Sequence, residues 1–308
     1  MRLLVVGAGS TGGYFGGRLV QAGRDVAFLV RPARAAKLRE SGLRIVSPYG
    51  DATLQPKLVT AQTLGGTYDA VLLTVKAYQL DAAMEDVAPA IGRDSMILPV
   101  LNGMRHMDSL ARRFSPHNVV GCAVKVSTTL DDDGRVVQLS TLQNFAYGEL
   151  DGESTPRILA LDEFMRPAAI GARLSPAIRR EMWKKWVFIA SLGAITCLMR
   201  GTVGEVEACP GGATFALRLF DEVVAIVAAV GVPPSDGFLA GARAMLSEKG
   251  SSLAASMFRD LQGGGPTEAE AIVGDLLRRG AQAGIDAPLL SAAYVCLAVH
   301  ENRIAAAR

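Results

Sequence analysis

The sequence predicts an α/β chain: a doubly wound parallel sheet in the first half, followed by an all-α second half. Three observations predict it. An apolar run, Leu3-Leu-Val-Val6, leads straight into a glycine-rich stretch, Gly7-Ala-Gly9-Ser-Thr-Gly12. Apolar strand-like runs then alternate with helical stretches, which is the pattern of a parallel sheet. From about Ser175 only helical patterning remains. Two domains follow, residues 1–173 and 174–308, each of ordinary size.

The opening elements read as strand, tight turn and helix start, and the glycine spacing GxGxxG gives each glycine a separate steric job. Gly7 permits the sharp turn, Gly9 lets the backbone approach a pyrophosphate, and Gly12 lets helix and strand pack closely. Free N–H groups and the macrodipole at the helix start favour negative charge there. Gly7, Ala8, Gly9, Ser10, Thr11 and Gly12 are therefore candidate dinucleotide-binding residues, in a Rossmann-type βαβ unit.

The second strand, Val26-Ala-Phe-Leu-Val30, ends in Arg31. An acidic residue at that tip would accept hydrogen bonds from the ribose of NAD. A guanidinium instead forks onto a phosphate, and Arg34 and Lys37 add positive charge. The pattern favours NADP(H); a solvated basic helix start is the alternative reading.

The remaining elements follow in order. A helix is expected over 34–41, short strands at 43–46 and 58–60, and a buried strand over 68–75 that ends in Lys76. A helix over 79–91 leads to a strand over 95–101, closed by Asn102-Gly103. Residues 119–147 read as β-rich around the hairpin signal Asp131-Asp-Asp-Gly134, so the sheet is expected to gain antiparallel strands there. Ser175 is expected to cap the next helix, with Pro176 at its first position.

Charge is nearly balanced, 32 basic against 30 acidic residues, and no basic tract carries interleaved aromatics. Neither a nucleic-acid nor an anionic-membrane partner is expected. Cys122, Cys197, Cys209 and Cys296 lie far apart without metal-ligand spacing and read as reduced core thiols. His106, His117 and His300 fall in no nucleophile-base or metal pattern, so no metal and no hydrolase chemistry is expected. The first apolar run is too short for a signal peptide, and the longest apolar stretch, 187–199, is too short to span a bilayer. A cytoplasmic enzyme without a membrane partner is the expectation.

Two features of the second half carry candidate chemistry. In Arg179-Arg-Glu-Met-Trp-Lys-Lys-Trp-Val-Phe-Ile-Ala-Ser191, Lys185 shares a helix face with Met182, Phe188, Ile189 and Leu192, whereas Lys184 neighbours Arg180 and Glu181. A lysine on an apolar face has a depressed pKa and is a candidate proton donor, although a snorkelling structural lysine has the same pattern. The second feature is Gly263-Gly-Gly-Pro-Thr267-Glu268-Ala-Glu270 before an apolar run. Helix-capping grammar accounts for Pro266 and Thr267, with Glu270 as a capping-box partner.

With these residues assembled, the chain resembles the ketopantoate reductases (2-dehydropantoate 2-reductases), NADPH-dependent enzymes of pantothenate biosynthesis. The resemblance rests on six motifs in order: Gly7-Ala-Gly9-Ser-Thr-Gly12, Thr74-Val-Lys76-Ala-Tyr-Gln, Leu101-Asn102-Gly103, Trp183-Lys-Lys185, Gly201-Thr-Val-Gly204-Glu, and Ser256-x-x-x-Asp260 with Pro266-Thr-Glu268-x-x-x-Ile272-x-Gly274. It implies that Lys185 is the general acid and that Glu268 supports it and binds substrate. It also implies that Asn102 lies near nicotinamide and substrate, that Lys76 contacts the cofactor, and that Ser256 binds substrate. The implied reaction is reduction of 2-dehydropantoate to pantoate by a hydride from NADPH. A homodimer is left open.

One departure stands out. Where the family usually carries two substrate-binding asparagines beyond the lysine, this chain has Ile189 and Gly193. A more apolar 2-oxo or 3-oxo acid is therefore an alternative substrate, because a buried hydroxyl without a partner costs about 1–3 kcal/mol. A catalytically silent NADP(H)-binding sensor or interaction protein is the second alternative, against which the retention of Lys185 and Glu268 argues.

Overall fold

A computed structural model describes residues 1–307. The strands are β1 (Leu3–Val6), β2 (Val26–Leu29), β3 (Leu43–Val46), β4 (Ala52–Leu54), β5 (Lys57–Val59), β6 (Tyr68–Leu73), β7 (Ile91–Pro99), β8 (Gly121–Leu130), β9 (Val136–Gly148) and β10 (Ala172–Leu174). Among them run the helices α1 (Ser10–Gln21), α2 (Pro32–Ser41), α3 (Leu80–Val87), α4 (Arg105–Arg113) and α5 (Pro156–Met165). The rest is helical: α6 (Ile178–Met199), α7 (Val203–Glu207), α8 (Gly212–Val230), α9 (Asp236–Leu246), α10 (Ser256–Gln262), α11 (Asp275–Gln282) and α12 (Pro288–Ala306). A single π-helical turn, Glu270–Gly274, precedes α11.

The chain divides into two compact units, and the division does not follow the sequence strictly. The first unit holds Met1–Leu101 and His106–Arg179; the second holds Asn102–Arg105 and the chain from Arg180 onward. The sequence placed a boundary at 173. The chain stays with the first unit beyond that point because β10 pairs with β9, Leu174 opposite Tyr147, and Arg179 Nε donates to Leu150 O at 3.2 Å. Ser175 Oγ accepts from Ala177 N at 3.2 Å, so it closes a turn before α6 instead of capping the helix itself.

In the first unit a five-stranded sheet has the order β5-β2-β1-β6-β7, with every pairing parallel. The chain winds out from β1 through β2 to β5 and then returns to β1's other side at β6, which is a doubly wound topology. The β-rich segment does not extend this sheet as expected. It builds a second one, of order β10-β9-β3-β4, with β8 paired antiparallel to β9 across the 131–134 turn.

Helix α1 explains why a second sheet is needed, since it is apolar on more than one side. A Cβ on Gly16 would meet Phe28 and Val5 of the first sheet, while one on Gly13 or Gly17 would meet Val136, Leu43 or Ile45 of the second. Tyr14, Phe15, Phe145 and Tyr147 fill this core, all fully buried.

The longest helix among the described residues is α6. Its 22 residues are long and apolar enough to cross a membrane by length and composition, but 67% of its most apolar window is buried inside the protein. It is a core helix. The cysteines also differ from expectation in two cases: Cys122 and Cys197 are buried, whereas Cys296 is half-buried and Cys209 is exposed. Burial pushes the Cys197 thiol up to about 12.

A buried ion pair anchors the end of β9. Burial alone would raise the Glu149 carboxyl, but hydrogen bonds from Arg157 and Thr155 outweigh it and hold the group below its ordinary value. Arg157 reaches both carboxylate oxygens at 2.7 Å. A lowered folded-state value means that this stabilisation is complete above the unfolded value and is lost as pH falls through the folded one. Glu149→Gln is therefore expected to lower stability by about 1–3 kcal/mol at pH 7 and to flatten the loss of stability below roughly pH 4.5. Urea unfolding of both proteins from pH 7 to pH 3 checks it, and parallel pH profiles would contradict it.

Candidate active site

Three neighbouring parallel strands bring their following residues to one edge of the first sheet. Gly7–Gly12 follow β1, Arg31 lies just beyond β2, and Thr74–Lys76 follow β6. The glycines divide their work as the spacing predicts. Gly7 has φ of +96°, which glycine alone adopts readily. A Cβ on Gly12 would collide with Gly7 O and the Thr74 hydroxyl. A Cβ on Gly9 would meet nothing within 4 Å, so the backbone there faces open space. Gly9 is also the N-cap of α1 and offers no side-chain cap, and helix geometry leaves the first amides without intrahelical acceptors. These features fit a dinucleotide whose pyrophosphate lies on the helix start.

Thr74 holds this turn in place, and the sequence reading assigned it no role. Its Oγ1 donates toward Val6 O at 2.8 Å and lies 3.0 Å from Gly7 O, tying the end of β6 to the end of β1. Lys76 is half-buried and begins a short 3-10 turn, where its N–H donates to Gln79 Oε1 at 3.4 Å.

The basic cluster separates into two kinds of residue. Arg31 is exposed at the N-cap of α2. Arg34 instead turns inward, and its Nη2 donates to Ala8 O at 3.1 Å and to Gly134 O at 3.4 Å. Burial lowers its pKa. Arg34 thus fastens α2 and the 131–134 hairpin tip to the glycine turn, whereas the Arg31 side chain stays exposed.

In the second unit the candidate residues assemble around α6. Lys185 is half-buried, beside fully covered Trp186 and one turn from buried Met182. The contrast with Lys184 is weaker than the helix spacing suggests, because Lys184 is half-buried as well and its Nζ lies 5.9 Å from the centre of the Phe238 ring. The Trp186 indole Nε1 donates to Ile272 O at 2.8 Å, and Ile272 N donates to Glu268 O at 3.0 Å. These two bonds pin the Glu268 segment to α6 next to Lys185.

Glu268 is buried at 7% exposure. Its Oε2 accepts from Asn102 Nδ2 at 3.2 Å, a pairing across 166 residues of chain. Gly103, with φ of +80°, lies so close to the π-helical turn that a Cβ would collide with Ala271 O. Asn102 thus sits beyond the last strand of the first sheet yet is packed with the second unit.

Ser256 is exposed at the first position of α10. The next residue, buried Met257, packs α10 onto α6: its Cε lies 2.6 Å from where a Gly193 Cβ would stand. The hydroxyl of buried Ser191 donates to Val187 O at 2.8 Å and is committed to its own helix. The capping-box reading of Thr267 and Glu270 is not what forms. Thr267 N and Oγ1 both donate to Glu301 Oε1 at 2.6 Å, while Glu270 accepts from Tyr294 and Arg278. Among the described residues no group of His, Cys, Asp or Glu side chains could hold a metal ion.

A nucleotide-binding doubly wound unit joined to a helical unit with a lysine, a buried carboxylate and an asparagine defines a class of two-unit oxidoreductases. Within that class, the family described as Ketopantoate reductase PanE/ApbA matches residues 3–152, and its C terminal counterpart matches residues 177–301. The chain belongs to this family. The uncharacterized oxidoreductase YkpB of Bacillus subtilis (strain 168) is 36% identical over 301 residues, covering 98% of this chain and 99% of its own length. The 2-dehydropantoate 2-reductase of Mesorhizobium japonicum is 28% identical over 298 residues, 89% of each chain. The crystal structure of 2-dehydropantoate 2-reductase from Geobacter metallireducens GS-15 has a TM-score of 0.85 at 26% identity, covering 96% of this chain and 99% of that one. A D-mandelate dehydrogenase solved with NADH and anilino(oxo)acetate shares the fold, with a TM-score of 0.86 at 19% identity and 99% coverage of each chain.

The two glycines should fail in different ways. Gly12→Ala must push β6 away from β1 and is expected to destabilise the protein by about 1–3 kcal/mol. Gly9→Ala has room in the protein itself, so its melting temperature should stay within about 2 °C of wild type while dinucleotide binding weakens at least tenfold. Thermal melts with titrations of both coenzymes check this; equal loss of stability would contradict the division of labour.

Proposed function

We propose that the protein is an NADPH-dependent reductase of 2-oxo acids with 2-dehydropantoate as its leading substrate. The observation that carries the reading is the buried Glu268 carboxylate, held by Asn102 and pinned through Ile272 to the helix that bears Lys185. When bound, the coenzyme supplies the hydride. Lys185 donates a proton to the substrate's carbonyl oxygen as negative charge develops there, and its cationic head stabilises that charge before the proton moves. Glu268 and Asn102 orient Lys185 and the substrate, and Ser256, at the start of α10, hydrogen-bonds the substrate.

NADPH is preferred over NADH in this reading because Arg31 stands free at the ribose end of the glycine turn, with no acidic residue in its place. Arg31→Ala is expected to raise the NADPH dissociation constant by about 10- to 100-fold, the worth of one charge-assisted phosphate contact, and to leave NADH nearly unchanged. Fluorescence titration of both coenzymes measures it. Equal losses would mean that Arg31 meets no phosphate. The cysteines, all free, suit a cytoplasmic setting.

A second substrate reading has an observation of its own. At Gly193 the space is taken by the methyl of Met257, and Ile189 adds an apolar side chain one turn earlier. A 2-oxo acid without a hydroxymethyl group would lose no hydrogen bond there. Steady-state kinetics with ketopantoate and 2-oxoisovalerate, which differ by that group, decide between the two.

Lys185→Ala should lower kcat by about 10² to 10⁴ on the preferred acid, the usual range for general acid catalysis, with NADPH binding retained. Lys184→Ala should cost only a few-fold. Loss of equal size in both variants would remove the assignment of Lys185, and no turnover of any 2-oxo acid would favour a silent NADP(H)-binding protein.

A further inference from the structure

We infer that α12 is a clamp that sets the position of Glu268, with Glu301 as its main positioning residue. The inference rests on the reading of Glu268 given above. The chain that leads into Glu268 is Gly263-Gly-Gly-Pro266, with Gly264 at φ of +68°. Three successive glycines have no side chains to pack, and their backbone freedom is the largest of any residue. The loop's own amides return to the end of α10, Gly263 N to Arg259 O at 3.0 Å and Gly265 N to Asp260 O at 2.9 Å, which ties its start to that helix.

Further restraints come from α12, 34 and 35 residues along the chain. His300 Nε2 lies 2.9 Å from Gly265 O and bonds it as an N–H donor. Glu301, the next residue of α12, accepts from both Thr267 N and Thr267 Oγ1 at 2.6 Å. Two turns earlier on the same helix, Tyr294 donates its hydroxyl to Glu270 Oε2 at 2.6 Å. One helix therefore holds the backbone before Glu268 at two points and the side chain two residues after it.

Glu270 is itself drawn into a charged state by this arrangement. Burial would raise it, but the hydrogen bonds from Tyr294 and Arg278 hold it below the ordinary carboxylate range. With both flanks fixed, Glu268 enters the site at one angle and meets Asn102 Nδ2 at 3.2 Å. Loss of the upstream tie would loosen the segment that leads into Glu268, and displacement of a site group by about 1 Å costs up to roughly 10²-fold in rate.

The test uses the full-length protein with four variants: Glu301→Ala, Glu301→Gln, Thr267→Val and Glu268→Gln. Glu301→Ala should lower kcat by about 10- to 100-fold, with the NADPH dissociation constant within twofold of wild type. Amide exchange followed by mass spectrometry should quicken over residues 263–270 while α6 stays protected. Glu301→Gln keeps an oxygen that accepts both bonds and should recover most of the rate. Thr267→Val removes only the hydroxyl tie, buries no new charge and should fall between wild type and Glu301→Ala, which covers the case in which Glu301→Ala does not fold. Normal kcat and unchanged exchange in Glu301→Ala would overturn the clamp, as would Glu301→Gln being no better than Glu301→Ala. If Glu268→Gln turns over normally, the role given to Glu268 fails, and the clamp's catalytic purpose falls with it. An impaired Glu268→Gln beside an unimpaired Glu301→Ala overturns the clamp alone.

Discussion

The indole N–H of Trp186 and the carbonyl of Ile272 form the contact on which the candidate site in the second unit depends. Both groups are buried, and an indole donor left without an acceptor there would cost about 1–3 kcal/mol. The bond is 2.8 Å long and joins the middle of α6 to the π-helical turn. Arg279 lies over the same indole at 5.8 Å and is held by Asp275 at 2.9 Å, so the ring is fixed from the α11 side as well. Lys185 precedes this tryptophan, and Glu268 is one hydrogen bond away from Ile272. A rigid aromatic anchor therefore ties together the segments that carry Lys185 and Glu268, which come from distant parts of the chain. The π-turn belongs to this arrangement, since such turns interrupt the regular helical ladder and recur at functional sites.

The first unit solves an analogous problem by different means. Its glycine turn must be tight, open to a ligand at one residue and closed against a strand at another. The Thr74 hydroxyl, within hydrogen-bonding reach of the carbonyls at the end of β1, holds β6 close enough that only a glycine fits at position 12. Arg34 then closes the other side through Ala8 O. The two arginines thereby differ in their surroundings: Arg34 is bound to the protein, and Arg31 is exposed.

Local patterns made much of this legible. The glycine spacing, the apolar runs of the first sheet, the basic tip after β2 and the hairpin at 131–134 are all features of a few consecutive residues, and each appears where the sequence put it. What was illegible depends on residues far apart in the chain. That the β-rich segment forms its own sheet follows from α1 needing cover on a second side, which its short apolar pattern does not announce. That Asn102–Arg105 belong with the second unit follows from Gly103 fitting against Ala271, a contact no periodicity encodes. The capping grammar at Thr267 was sound as grammar, but Glu301 outcompeted the nearby Glu270 for the same donors. A long-range carboxylate with a strong geometry prevails over a local one already committed to Tyr294 and Arg278.

The lysine pair shows the same limit from another angle. Helical spacing assigned Lys184 to a polar face because its sequence neighbours are Arg180 and Glu181. In the fold its neighbour is Phe238, contributed by α9, and the face is mixed. A helical wheel describes what one helix offers, and burial is decided by what its partners bring. Position 193 is the sharpest instance. Glycine there reads from sequence as a place without the usual asparagine and its polar partner, and Met257 from α10 fills it with a flexible apolar side chain that adapts to irregular gaps. What stands at that point is therefore a methyl group from another helix. Its chemistry is apolar, and it was set by residue 257 as much as by residue 193.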